Sequence, residues 1–159
     1  PPSSDVKLQQ LIHPDRVFFG LSASDVGTAL ARIAERVADD IGVSADKIVA
    51  ALSEREELGS TAVGHGFAIP HCKLHGISEI YVAVARFTEG VDFHAVDGEP
   101  VRVMFVVLSP PDQPAAHLQV LSQIARVLKR ENLREPILAS RDEGELVAAI
   151  RRAAEAEGL

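Results

Sequence analysis

The run Val101-Arg102-Val103-Met104-Phe105-Val106-Val107-Leu108 constrains this chain more than any other stretch. From Val103 onward it carries no polar side chain, so a strand built from it presents an apolar surface on both faces. The run falls well short of the ~18 apolar residues needed to cross a membrane, and its Val-rich character suits a strand better than a buried helix. Such a strand has to be covered on each side. The architecture that does this is an α/β domain with helices on both faces of the sheet.

The rest of the chain offers the covering layers. Val26, Leu30, Ile33, Val37 and Ile41 recur at helical spacing up to Gly42, and Ser22 followed by Asp25 reads as a capping box ahead of them. Ser44 caps a second helix with Ile48, Val49 and Leu52 inward, and Gly59 stands as its terminating glycine. Leu118, Leu121, Ile124, Ala125 and Leu128 form a third apolar stripe after the Pro-rich loop Ser109 to Pro114. A short helix is expected from Leu133 to Ala139, with Pro136 either in its first turn or breaking it. Ser140 and Glu143 read as the capping box of a last helix whose apolar face is Leu146, Val147, Ile150 and Ala154.

Further strands are expected at Val17-Phe18-Phe19, closed by Gly20, and from Ile80 to Phe87, where Ala83 and Ala85 give a weakly polar outer face. Thr88-Glu89-Gly90 reads as a turn, and Asp97-Gly98 as a hairpin signal. Val6 to Ile12 has no clear state. Residues 1–5, Pro-Pro-Ser-Ser-Asp, read as a poorly ordered lead-in to one domain over 1–159. The fold expected is therefore a single three-layer α/β domain, a mixed β-sheet flanked by helices on both faces.

Charge narrows the partners. A net charge of −7 with no basic block argues against sequence-independent nucleic-acid binding. No run is long enough for membrane insertion, and no signal-peptide pattern is visible. A lone cysteine, Cys72, allows no internal disulfide and fits a reducing, cytoplasmic setting.

The chemistry concentrates in Leu58-Gly59-Ser60-Thr61-Ala62-Val63-Gly64-His65-Gly66-Phe67-Ala68-Ile69-Pro70-His71. Pro70 has a set φ and pushes Ile69 into an extended conformation, so a strand is expected to deliver His71 at its end, against a stiff turn. An imidazole there can be a nucleophile, a general base or a metal ligand. A nucleophile there needs one ring nitrogen as a free lone pair and the other held as a donor, a task for a backbone carbonyl near the turn. Were the group it attacks anionic, anion-stabilising groups would have to surround it. Candidates are His117 in the first turn of its helix, Arg55, and the hydroxyls of Ser60 and Thr61.

Two motifs bear on the choice between these chemistries. Arg55-Glu56 with Leu58-Gly59-Ser60-Thr61 and Gly66-Phe67-Ala68-Ile69-Pro70-His71 resembles the signature of the enzyme IIA proteins of the fructose/mannitol/nitrogen-regulatory class of the bacterial phosphotransferase system. His117-Leu118 with Leu121 and Ile124-Ala125 is similar to that family's second His motif. The resemblance runs from the first long helix to the end of the chain and implies the same three-layer fold. It implies that His71 accepts a phosphoryl group from the phosphohistidine of HPr or its nitrogen-branch relative, with His117 orienting or stabilising and Arg55 stabilising. Ser60 and Thr61 are the weaker phosphate-binding candidates.

The resemblance calls for no metal or organic cofactor. A transport member would pass the group to a cysteine of a IIB domain, whereas a nitrogen-regulatory member would use its phosphorylation state to gate regulatory target proteins. With no IIB, IIC or HPr module fused to it, the chain leans toward the regulatory branch. His65, Cys72 and His94 depart from the residues usual at those places. Two rival readings use the same residues: a zinc site built from His65, His71, Cys72 and His75, and a Cys72 nucleophile with a histidine base.

Overall fold

A computed structural model describes residues 6–159; the lead-in assigned to Pro1–Asp5 lies outside the described residues. In chain order the elements are α1 (Leu8–Leu11), a 3-10 turn (Pro14–Arg16), β1 (Val17–Leu21), α2 (Val26–Ile41) and α3 (Ala45–Glu57). They continue with β2 (Ala62–Gly64), β3 (Phe67–Ala68), β4 (His71–Lys73), β5 (Tyr81–Val91) and β6 (Val101–Ser109). The chain closes with α4 (Pro114–Leu128), α5 (Glu131–Leu138) and α6 (Glu143–Ala156).

The apolar run is the strand about which the others are arranged. β6 pairs antiparallel with β5 on one edge and parallel with both β3 and β4 on the other. β1 extends the sheet beyond β5 in parallel, and β2 extends it beyond β3 in antiparallel fashion. The sheet is six-stranded and mixed. Because strand side chains alternate, Val103, Phe105 and Val107 enter one core with residues of α4, α5 and α6, while Met104, Val106 and Leu108 enter a second with residues of α2 and α3. Only Arg102 along β6 is exposed. The expected single three-layer α/β domain is the fold observed.

Several local expectations are corrected. Asp25 is the residue that caps α2, its carboxylate accepting from the Thr28 N–H at 2.7 Å, in place of Ser22. Asp142 likewise caps α6, while the Ser140 hydroxyl donates back to the Pro136 carbonyl. α5 starts earlier than expected, so Pro136 falls inside it. Val6 to Ile12 contains the short helix α1. β1 continues through Gly20 to Leu21. β5 is buried on both faces from Tyr81 to Ala85, since α2 and α3 cover the face expected to be weakly polar.

Thr88-Glu89-Gly90 is no turn, because β5 runs through it to Val91 with a register shift after Arg86. Asp97-Gly98 sits in a turn, but within the longer connection 92–100 and not a two-residue hairpin. The tight hairpin lies elsewhere, between β2 and β3, where His65 and Gly66 have φ of 58° and 90°. Positive φ at both central residues is the pattern of a type I′ turn, which usually prefers Asn-Gly. The Asp97 carboxylate steadies this turn by accepting from the His65 N–H at 2.8 Å.

Gly90 explains why β5 can pass beside the 92–100 connection. A Cβ there would lie 2.3 Å from Pro100 Cβ and 2.7 Å from its Cγ. A Gly90→Ala protein is expected to lose about 1–3 kcal/mol of stability through this overlap, read as a lower urea midpoint with unchanged slope. An unchanged midpoint would mean that the connection moves aside freely.

Candidate functional site

Pro70 has no N–H to give to a ladder, so the strand alongside β6 is interrupted at Ile69–Pro70 and resumes at His71. His71 therefore opens a new short strand instead of ending a continuous one, as the sequence had suggested. The ladder closes again at once: Val107 N–H donates to Pro70 O at 2.9 Å, and β4 takes the register His71 opposite Val107 and Lys73 opposite Ser109. Cys72 points into the α2/α3 core, so His71 and Lys73 project on the opposite side of the strand, that of α4.

The kink at Ile69–Pro70 also brings a carbonyl to the imidazole. His71 Nδ1 lies 2.7 Å from Ile69 O. A carbonyl can only accept, so Nδ1 carries the proton and Nε2 holds the lone pair.

α4 approaches from the same side. Pro114 occupies its first position, where the absent N–H costs nothing, and His117 sits one turn in, donating its own N–H to Gln113 O. The His71 and His117 rings are 5.5 Å apart between centroids and tilted by 51°. His117 is 7 % exposed, and its Nδ1 lies 2.5 Å from the Oγ of fully buried Ser109.

The opposite wall comes from the last turns of α3. A crevice of about 420 Å³ is lined by Ala51, Glu54, Arg55 and Leu58 from the α3 side and by His71, Cys72, Lys73 and His117. Arg55 Nη1 donates to Gly59 O at 2.9 Å, closing off the helix terminus. Next to it, the Glu56 carboxylate accepts from the Thr61 N–H at 2.8 Å and from the Thr61 hydroxyl at 2.6 Å. These bonds hold the turn Leu58 to Thr61 against α3.

Of the five residues singled out in the sequence, Arg55, His71 and His117 share this crevice. Ser60 and Thr61 do not line it. The Ser60 hydroxyl donates to Phe93 O at 2.6 Å, and that of Thr61 is taken by Glu56. Sequence reasoning missed Lys73, though a residue two positions beyond His71 in a strand shares its face. It also missed Ser109, which stands one place past the apolar run and was read as loop.

The rival readings fail on placement. Among the described residues there is no group of three or more His, Cys, Asp or Glu able to hold a metal ion, so the proposed zinc cluster is not formed. His65 lies in the β2–β3 turn beside Asp97, and Cys72 faces away from His71 into the core. Burial pushes the Cys72 thiol up to about 12, which leaves almost no thiolate at neutral pH.

Electrostatics favours neutral imidazoles. His71 is held below the usual histidine range, chiefly by burial; the Ile69 carbonyl opposes this, Arg55 adds to it and Glu56 again opposes. His117 is lowered by burial first, then by His71 and Lys73. Both rings thus keep a lone pair at pH 7.

The chain has relatives among known proteins. Residues 10–153 match the family described as phosphoenolpyruvate-dependent sugar phosphotransferase system, EIIA 2. The chain belongs to that family. It is 36 % identical over 135 residues to a nitrogen regulatory protein of Bradyrhizobium diazoefficiens, covering 85 % of this chain and 88 % of the relative. It is 43 % identical over 93 residues to the fructose-specific EIIA component of Haloferax volcanii, covering 58 % of this chain and 60 % of that protein. The crystal structure of the nitrogen regulatory protein IIA-Ntr from Neisseria meningitidis superimposes with a TM-score of 0.84 at 26 % identity, covering 90 % of this chain and 98 % of that one. An EIIA protein of this type is a phosphocarrier, and the family's activity is phosphohistidine transfer. No helix among the described residues is long and apolar enough to cross a membrane.

Followed by NMR against pH, both EIIA imidazoles are expected to titrate with midpoints below about 6.5, the ordinary value. An unfolded chain takes up these protons first, so the contribution of the neutral rings is complete above about pH 6.5 and is lost as pH falls from there toward the lower folded values. A midpoint above 6.5 for either ring would contradict the burial argument.

Proposed function

We propose that His71 is the phosphoacceptor of this EIIA protein, that an HPr-type phosphohistidine protein is its donor, and that the phosphorylated and free forms act as a nitrogen-regulatory signal. The observation that carries the reading is the 2.7 Å contact from His71 Nδ1 to the Ile69 carbonyl, which leaves Nε2 as a lone pair in a crevice shared with His117 and Arg55.

In the transfer, the Nε2 lone pair forms a bond to phosphorus while the P–N bond to the donor's histidine breaks, its electron pair returning to the donor ring. The transition state is loose and anionic, so positioning and charge stabilisation supply most of the catalysis. His117 orients the acceptor and meets a phosphoryl oxygen. Arg55, whose planar guanidinium suits a phosphoryl group, turns from Gly59 O toward the transferred group. Lys73 adds positive charge at the rim. Ser60 and Thr61 support the turn that carries this wall and do not contact the phosphoryl group.

Relatives described as nitrogen regulatory proteins support the regulatory branch. The 43 % identity to a fructose-specific component supports the second reading, in which the group passes on to a IIB cysteine.

Incubation with phosphoenolpyruvate, enzyme I and HPr or its nitrogen-branch counterpart is expected to place one acid-labile label on His71. His71→Ala should take none, and label on that variant would end the proposal. His117→Ala and Arg55→Ala should each slow labelling by roughly 10²-fold, the order seen when one donor is removed from a stabilised anionic transition state. Adding a IIB domain should leave the label in place if the role is regulatory, and drain it if the protein serves transport.

A further inference from the structure

We infer that Ser109 is a positioning residue: its buried hydroxyl donates to His117 Nδ1, fixing His117 in the tautomer with its proton on Nε2. The second imidazole then meets the crevice as a hydrogen-bond donor and not as a rival nucleophile. The inference deepens the phosphoacceptor reading of His71 and rests on it for its catalytic meaning.

The polarity of this bond follows from what the hydroxyl can do. Ser109 is the last residue of β6 and is fully buried. Its backbone is clamped on the β4 side, with Lys73 as its register partner and Leu74 N–H donating to Ser109 O at 2.8 Å. Leu108 points into the α2/α3 core, so Ser109 points the other way, toward α4. There it meets His117 Nδ1 at 2.5 Å, the hydroxyl's one hydrogen-bond partner among the described residues. Were the imidazole the donor, the hydroxyl proton would be buried with no acceptor, a costly arrangement. Donation by the hydroxyl satisfies both groups. A neutral ring that accepts at Nδ1 carries its proton at Nε2.

The two histidines of the crevice are thereby set in opposite states by opposite kinds of partner. A carbonyl, which can only accept, makes His71 Nε2 a lone pair. A hydroxyl with nowhere else to place its proton makes His117 Nε2 an N–H. His117 lines the crevice, and Nε2 is the ring nitrogen that Ser109 leaves free. It can therefore donate to a phosphoryl oxygen while uncharged, and needs no imidazolium beside His71.

Long-range nitrogen–proton NMR of the unphosphorylated protein reads the two tautomers directly. We expect His117 with a bare Nδ1 and protonated Nε2, and His71 with the reverse. Ser109→Ala should move the His117 nitrogens toward the averaged values of an exchanging ring. It should also slow phosphoryl uptake on His71 several-fold at saturating HPr, leaving the half-saturating HPr concentration unchanged, and Ser109→Thr should restore both readouts. A wild-type His117 protonated on Nδ1 overturns the inference, whether or not the variants fold. So does a folded Ser109→Ala protein with unchanged nitrogen shifts and rate. Label appearing on a residue other than His71 would instead defeat the phosphoacceptor reading and leave the tautomer assignment standing.

Discussion

The parallel register of β4 on β6 governs this molecule. Two backbone pairings, His71 with Val107 and Lys73 with Ser109, decide which way four side chains point. A slip of one residue would send His71 into the α2/α3 core and bring Cys72 out beside His117. The register is secured by burial more than by the three-residue strand itself. Cys72 and Leu74 are buried on one side, and Val107 on the other, so any slip would expose apolar surface or bury an imidazole without its carbonyl. A short strand can hold His71 this firmly only because its neighbour, β6, is apolar on both faces and covered by a helical layer on each.

The other wall of the crevice depends on different forces. α3 ends at Glu57, and the turn that follows is tied back by polar contacts, Arg55 to Gly59 and Glu56 to Thr61. The Glu56–Thr61 contact is made where Thr61 is 5 % exposed, so leaving either partner unpaired would bury a polar group. Arg55 is held more lightly: among the described residues, a single hydrogen bond to a carbonyl orients its guanidinium. Glu56 thus gives the wall its rigidity while Arg55 keeps the freedom to follow charge. Adjacent residues on one helix turn take these two roles because their side chains leave the helix about 100° apart.

Much of this was legible in the chain. The central strand, the helices with clear 3.6-residue periodicity and the Ser44 cap followed from local pattern. His71, His117 and Arg55 followed from motif spacing and resemblance, and a carbonyl partner for His71 from the stiffness of Ile69-Pro70. What could not be read was set by contacts distant in sequence. Ser60 and Thr61 looked like phosphate ligands because hydroxyls beside glycine suit an anion, yet their acceptors are Phe93 and Glu56. Ser22 and Ser140 had capping chemistry, but Asp25 and Asp142 lay nearer the first turn with a stronger acceptor. Gly90 looked like a turn residue; its lack of a side chain makes room for Pro100. Ser109 was concealed for a related reason, as a serine at the end of an apolar run reads as the end of the strand until the helix above it is known.

Two imidazoles this close would repel one another if both were charged, and the fold removes that conflict by keeping both rings neutral. Burial lowers both rings, so neither proton nor counter-ion has to be expelled when an anion enters. With the tautomers inferred above, their dipoles are set by fixed partners, so that little reorganisation would remain on binding an anion. The cost was met on folding, by burying His117 and Ser109 as a satisfied pair beneath α4. In a chain of net charge −7, positive groups near His71 also do more than their number suggests. Arg55 and Lys73 line the crevice together with Glu54, and at His71 the charge of Arg55 outweighs that of Glu56, which tempers for an anion a surface that otherwise opposes one.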